Sequence, residues 1–271
     1  MLLNLIYLLS ALVGLGLWLL TDALWVLPVA FVGCFLLSLL VCFLVVLYEV
    51  KRSDPTVEHT TDDPFIRGIV KLYAPAVFRL LGCKIHVRGA ELMPTEGRFL
   101  LVSNHLQDLD PGVILATFPN AQLGFIAKKE VLQMPILNRL MPRLLCQFVN
   151  RENDREALKT ILKCIQIIKE DKASIAVFPE GYTSKDNKLH HFRSGVFKIA
   201  QKTGVPIVVC TIQNTRQIFK DLKKLRFTDV HLHLVDVIQP EQYKGMTTVA
   251  LSDLVYEKMI GDLGESFRYA E

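Results

Sequence analysis

His105 stands five residues ahead of Asp110 in "VSNHLQDLDP", residues 102–111, with Asn104 just before the histidine and Pro111 just after the aspartate. An imidazole, with an ordinary pKa of about 6.5, can take a proton from a hydroxyl near neutral pH. A carboxylate on its other nitrogen fixes the tautomer and steadies the imidazolium that forms. The aspartate also has a plain structural reading, because Asp before Pro is a natural helix N-cap with Pro at the first helical position. The two roles are compatible, since the two carboxylate oxygens can serve different donors. A second pair of the same spacing, His231 and Asp236 in "HLHLVD", lies in a strand-like run. Residues an odd number apart on a strand point to opposite faces, so that pair needs a bulge to act together. There is no GxSxG motif and no Ser or Cys nucleophile near a histidine, so the attacking hydroxyl is expected to come from a substrate. His190 and His191 are adjacent, but no HExxH or Cys/His framework accompanies them, and no metal site is expected.

The elements that must position these residues read as alternating strands and helices. Candidate strands are 84–87, 98–103, 123–127, 146–149, 174–178, 206–212 and 230–237. The clearest helix is 154–170, where Leu158, Ile161, Leu162, Ile165 and Ile168 recur at helical spacing. Asn153 with Glu156 supplies a capping-box start for it. Helices also fit 110–117, 136–144, 195–203 and 247–262. This order predicts an α/β fold with a mixed, largely parallel sheet flanked by helices. Ligands of such sheets gather at the carboxyl ends of the strands. Three of those ends carry unusual chemistry: "NHLQDLDP", "NRENDRE" and "PEGYTS". Their shared location is the first reason to place them in one site.

Hydrophobic residues make up 51% of the 271-residue chain, and the excess is concentrated at the N-terminus. No charge falls between Leu2 and Leu20, nor between Trp25 and Tyr48, and the polar break "TDA" separates the two runs. Each run is near the roughly 20 residues that cross a bilayer as a helix. Residues 1–50 are therefore expected to form a transmembrane hairpin, or a re-entrant one, given Gly14, Gly16, Pro28 and Gly33. The first run lacks the basic start and cleavage site of a signal peptide. "YEVKRSD" after the second run places both hairpin ends, and the domain beyond, on the cytoplasmic face. A polar linker is expected at 51–63 and the main domain at 64–271. Within that domain, Arg67, Lys71, Arg79, Lys84 and Arg88 accompany many apolar residues, and no acid lies between Pro64 and Gly89. Segment 64–88 is expected to be amphipathic and to lie on an anionic membrane surface, a core helix being the other reading. Six cysteines form no CxxC pair and read as small hydrophobes. A net charge of +4, thinly scattered, does not argue for nucleic acid.

"NHLQDLDP" followed by "FPEGYTS" (178–184) resembles the glycerolipid acyltransferase family, and within it the 1-acylglycerol-3-phosphate acyltransferases. Other blocks agree. "GFIAKKEVLQMPILNRLM" (124–141) is similar to the family's Lys-Glu block, and "QFVNRENDREAL" (147–158) to its Phe-Ile-Asp-Arg block, with Asn150 for Asp. "HHFRSGVFKIA" (190–200) and "GVPIVVCTI" (204–212) resemble the closing blocks. The resemblance implies acyl transfer from an acyl thioester, acyl-CoA or acyl-carrier protein, to the sn-2 hydroxyl of lysophosphatidic acid, with no other cofactor. It implies His105 as general base and Asp110 as its orienting carboxylate. Glu180 and Gly181 would shape the acceptor pocket, and Lys128 and Arg151 would meet the phosphate, with Lys129 able to exchange with Lys128. Asn104 and Arg193 complete the expected substrate-binding set, with Lys185 as a further cation in reserve. One departure stands out. The family usually writes Thr-Arg where this chain has Tyr182 and Thr183, and that arginine commonly serves a phosphate. The departure leaves two other readings: an acyltransferase for a lyso-lipid lacking a phosphomonoester, or a non-catalytic lipid-binding membrane module.

Overall fold

A computed structural model describes residues 2–21, 23–52, 59–151 and 153–269. The chain divides into two units, Met1–Val57 and Glu58–Glu271. The first holds two helices, α1 (Leu2–Thr21) and α2 (Val26–Arg52). They pack closely: a β-carbon on Gly14 would lie 3.4 Å from the carbonyl oxygen of Leu27. Within α2, Val26–Glu49 is long and apolar enough to cross a membrane, and α1 contributes the shorter apolar stretch Leu8–Thr21. Residues 53–58 of the expected linker lie outside the described residues. Its last two residues belong to the domain instead. Asp63 caps the next helix through the amides of Phe65 and Ile66 at 2.9 and 3.1 Å, while Asp62 pairs with Arg67 at 2.6 Å.

The second unit is built on one seven-stranded sheet. Its strands are β1 (Cys83–Arg88), β2 (Leu100–Ser103), β3 (Leu123–Lys128), β4 (Gln147–Val149), β5 (Ser174–Val177), β6 (Ile207–Gln213) and β7 (Thr228–Ile238). Their order across the sheet is β1-β7-β6-β2-β5-β3-β4. Every pairing is parallel except β6 with β7. All seven strands fall where the apolar runs predict them. The carboxyl ends of β2 to β6 therefore share one rim with the starts of β7 and β1.

Helices cover both faces. On one side α6 (Asp154–Lys169), α7 (Lys198–Thr203) and α10 (Thr248–Leu263) bury Ile161, Ile165, Ile168, Ile199, Val255 and Met259 against β2, β5 and β6. On the other side α3 (Pro64–Leu80), α4 (Asp110–Thr117) and α8 (Ile218–Leu222) bury Ile66, Phe78, Val113, Ile114 and Ile218. The short helices α5 (Leu137–Arg143) and α9 (Pro240–Tyr243) complete the layers. In α6 the buried stripe includes Cys164 and Ile167, whereas Leu158 and Leu162 are exposed. The expected helix at 195–203 begins as a tight 3-10 turn, Ser194–Phe197, before α7.

Segment 64–88 is not one surface element. It divides into α3 and the edge strand β1, and Ile66, Ala76 and Phe78 are core residues. Arg67 is buried too, donating to the carbonyl oxygens of Leu123 and Leu144 at 2.9 and 3.3 Å. Phe65, Val77 and Leu80 remain exposed. Cys83, Cys146, Cys164 and Cys210 are free and buried, in keeping with thiols that behave as small hydrophobes.

Candidate active site

Strand β2 lies at the centre of the sheet, between β6 and β5, and the chain turns sharply where it ends. Asn104 fixes that turn. Its side-chain nitrogen donates to the carbonyl of Ile212 at 2.9 Å, and its oxygen accepts the Ile212 amide at 2.8 Å. Both ends of the amide are thus occupied by β6 backbone in a buried setting. Here the Asn104 side chain extends the β2–β6 ladder and so supports the histidine loop from behind.

His105 follows, and the structure brings it to Asp110. The ring Nδ1 lies 2.9 Å from Asp110 Oδ2. The same oxygen accepts the amides of Leu106 and Gln107 at 2.6 and 2.8 Å. Asp110 is fully buried and is the first residue of α4, not its N-cap, and Leu109 precedes it in helical conformation. The carboxylate therefore closes the loop behind it, where the Asp-Pro signal suggested that it would cap the helix ahead. With Nδ1 committed to a carboxylate, Nε2 is the ring atom left for a substrate hydroxyl.

The loop after β5 grips His105 at its other atoms. Glu180 Oε1 accepts the His105 amide at 2.9 Å, and Oε2 accepts the His190 amide at 3.1 Å. The Ser184 amide donates to the His105 carbonyl at 2.8 Å. Phe178 stacks on the imidazole with ring centroids 4.2 Å apart. Burial pushes the Glu180 carboxyl up to about 7, against the two backbone amides that favour its charged form. Phe178 and Ser184 were not singled out from the sequence, although both lie inside "FPEGYTS". Their partner is a loop far back in the chain, and nothing in the motif itself names that partner.

The cations gather beside this loop. Gly181 has φ of 83°, and a β-carbon there would lie 3.0 Å from Arg193 Nε. Glycine is needed both for the left-handed turn and for the approach of the guanidinium. Arg193 Nη1 donates to the Arg151 carbonyl at 3.4 Å. Arg151 leaves the end of β4 in a loop held by Asn150, whose side chain donates to Glu156 at 2.9 Å. Asn153 caps α6 as expected, but Glu156 does not return the bond and serves Asn150 instead. Burial, then the Arg193 charge, disfavour the charged form of Arg151, while Glu130 favours it. The Arg193 guanidinium set on the Arg151 backbone, with the Arg151 side chain partly buried and sensing the Arg193 charge, makes a place suited to an anion. Lys128 ends β3, level with Val149 of β4, and is exposed, as are Lys129 and Lys185. Tyr182 stands exposed and edge-on to His190, at 5.4 Å between ring centroids.

The second sequence pair does separate. A register shift between β6 and β7 does fall between His231 and Asp236. Even so, His231 stacks on His86 at 5.1 Å, and Asp236 pairs with Lys258 at 2.6 Å. Unforeseen was His233, whose Nδ1 lies 2.5 Å from Asp262 Oδ1, with Thr211 donating to the other oxygen. That cluster ties α10 to β6 and β7. Among the described residues, no group of His, Cys, Asp and Glu could hold a metal ion.

A family model described as Acyltransferase matches residues 84–213, which include the histidine loop, the Glu180 loop and Arg193. A 1-acyl-sn-glycerol-3-phosphate acyltransferase of Borreliella burgdorferi is 31% identical over 187 residues, covering 66% of this chain and 73% of that protein. The chain belongs to the glycerolipid acyltransferase family. The mouse 1-acyl-sn-glycerol-3-phosphate acyltransferase alpha is 28% identical over 184 residues, covering 67% of this acyltransferase and 64% of the mouse protein. The crystal structure of the 1-acyl-sn-glycerophosphate acyltransferase PlsC from Thermotoga maritima superposes with a TM-score of 0.60 at 24% identity. That match covers 84% of this acyltransferase and 89% of PlsC, and it supports the fold.

Proposed function

We propose that this acyltransferase moves a fatty acyl group from an acyl thioester to the sn-2 hydroxyl of lysophosphatidic acid, giving phosphatidic acid. The observation that carries the reading is His105, fixed through Nδ1 by the fully buried Asp110 and gripped along its backbone by Glu180 and Ser184. The names of its relatives supply the acceptor. In this mechanism His105 Nε2 takes the proton of the acceptor hydroxyl as its oxygen attacks the thioester carbonyl. Asp110 holds the tautomer and balances the imidazolium. The tetrahedral intermediate collapses with cleavage of the C–S bond, and the departing thiolate takes the proton from the imidazolium. Arg151 and Arg193, with Lys128 alongside, hold the acceptor phosphate. The donor is acyl-CoA or acyl-carrier protein, and no other cofactor takes part. We place the chain in a membrane through α2. Lys51 and Arg52 at its end support a cytoplasmic position for the second unit.

The test is incubation of the purified protein with a panel of lyso-lipids and both donor types, with products read by mass. Phosphatidic acid is expected from the parent and none from His105→Ala. Asp110→Asn is expected to lose on the order of 10²–10⁴ in rate. Arg151→Ala should raise the KM for a phosphate-bearing acceptor more than tenfold, since truncating one partner of a desolvated charge pair costs about 2–5 kcal/mol. Thr183 in place of the family's arginine favours a second reading, an acceptor without a phosphomonoester. An unchanged KM in Arg151→Ala, together with faster use of a phosphate-free lyso-lipid, would decide for it.

A further inference from the structure

Residues 215–227, "TRQIFKDLKKLRF", leave the carboxyl end of β6 and return as β7. They stand on the same rim as His105, three residues beyond the Ile212 that Asn104 grips. Arg216 fastens them to the Glu180 loop through Asn187 and the carbonyl of Lys185. Five of these residues are basic and one is acidic. The single acid is turned inward: Asp221 Oδ2 accepts the Thr228 hydroxyl at 3.1 Å, and its carbonyl closes the turn on the amides of Lys224 and Arg226. Lys220, Lys223, Lys224 and Arg226 pair with no carboxylate among the described residues.

Ile218 anchors this segment in the core, but the apolar residues at its tip point away from it. Leu225 is 93% exposed and Phe227 67%. Leu225 also has φ of 52°, the left-handed region that a β-carbon disfavours and that glycine or asparagine usually occupies. A leucine placed there gains neither burial nor an easy backbone. Beside it, Phe219 is exposed, and Lys84 at the start of β1 sits 4.9 Å over the Phe227 ring. Exposed apolar groups at the tip of a convex turn, ringed by unpaired cations, match a layer of anionic headgroups over acyl chains. A protein partner would need a pocket to receive Leu225. A bilayer needs none.

We propose that residues 218–227 and the start of β1 form a second, non-catalytic membrane contact, in which Leu225 and Phe227 enter an anionic leaflet and Lys220, Lys223, Lys224 and Arg226 neutralise its headgroups. Such a contact would hold the carboxyl-end rim of the sheet, and so Nε2 of His105, against the surface where a lipid acceptor lies. The proposal rests on the acceptor being a membrane lipid, and its first test does not depend on turnover. The full chain is placed in phosphatidylcholine nanodiscs with and without phosphatidylglycerol, and hydrogen exchange is followed at 218–227. Slower exchange in the anionic discs, reversed at high salt, is expected. In Leu225→Gly/Lys223→Glu/Lys224→Glu the protection should vanish with an unchanged or higher melting temperature. The variant's transfer rate should fall at least fivefold in anionic discs and stay level in detergent micelles. Equal exchange in the two disc types would overturn the contact and leave a protein partner as the occupant. Protection without any acyl transfer would instead overturn the function and leave the contact standing.

Discussion

Glu180 shows how much one side chain can hold. It receives two backbone amides, one on each carboxylate oxygen, from two stretches of loop, at His105 and His190, far apart in sequence. Its pKa stands at about 7, above the ordinary 4.5, because burial disfavours the charge. Between those values the folded protein binds a proton that the unfolded chain has released. Stability should therefore decline as pH rises from about 4.5 to 7, by on the order of 3 kcal/mol, and level off above. Denaturant titrations across that range would reveal the slope, and Glu180→Gln should flatten it while losing one of the two amides. At this scale the His105–Asp110 pair was legible because both residues lie in one turn. The fate of Asn104 was not, because Ile212, 108 positions away, decides it. For the same reason "FPEGYTS" could be read as important without its task being read: three of its residues, Phe178, Glu180 and Ser184, act on a loop remote in sequence.

Among the elements, α3 is the one whose sequence was read only in part. Its basic and apolar content suits a membrane surface, yet Arg67 and Phe78 are buried, and the pattern of types alone does not tell which cation has an internal carboxylate. That carboxylate, Asp62, lay in what read as linker, as did the Asp63 that starts the helix. Asp63 also pairs with Arg143 at 2.7 Å. Burial raises its pKa, but the Ile66 amide and Arg143 outweigh it, and the net displacement is below 3.8. A carboxylate lowered in the fold stabilises above its unfolded pKa, and that contribution disappears as pH falls through the folded value. Asp63→Asn keeps the cap and removes the charge that faces Arg143, at a cost of about 1.5–3 kcal/mol. Asp63→Ala should lose about 1 kcal/mol further with the cap. Equal losses for the two variants in urea unfolding would mean that the cap contributes nothing. The strands, by contrast, were legible throughout. Strands β2, β5 and β6 are short, nearly unbroken apolar runs, as parallel strands covered on both faces must be, and β7 shows the alternation of a strand covered on one.

For the molecule as a whole, a 24-residue apolar span and an α/β unit built on a seven-stranded sheet share one chain. If α2 is a membrane anchor, the protein should stay in the pellet after alkaline carbonate extraction, and added protease should reach residues 59–269 from one side of sealed vesicles only. Release by carbonate would remove the anchor from the account. The order of the sheet has one more consequence, which concerns time. Strand β2 carries the histidine loop, but both of its neighbours, β5 and β6, are made long after it. As the chain leaves the ribosome, β2 and His105 emerge with no strand to pair with, and Glu180, Ser184 and Ile212 are still to come. The central strand must wait, apolar and unpaired, until most of the domain has been synthesised. Folding dominated by such distant pairings is slow, and exposed strands of this kind are what chaperones bind. In ribosome-bound chains stopped near residue 170 the emerged part of the α/β unit should therefore be protease-sensitive, whereas in chains stopped after β7 has emerged it should already resist.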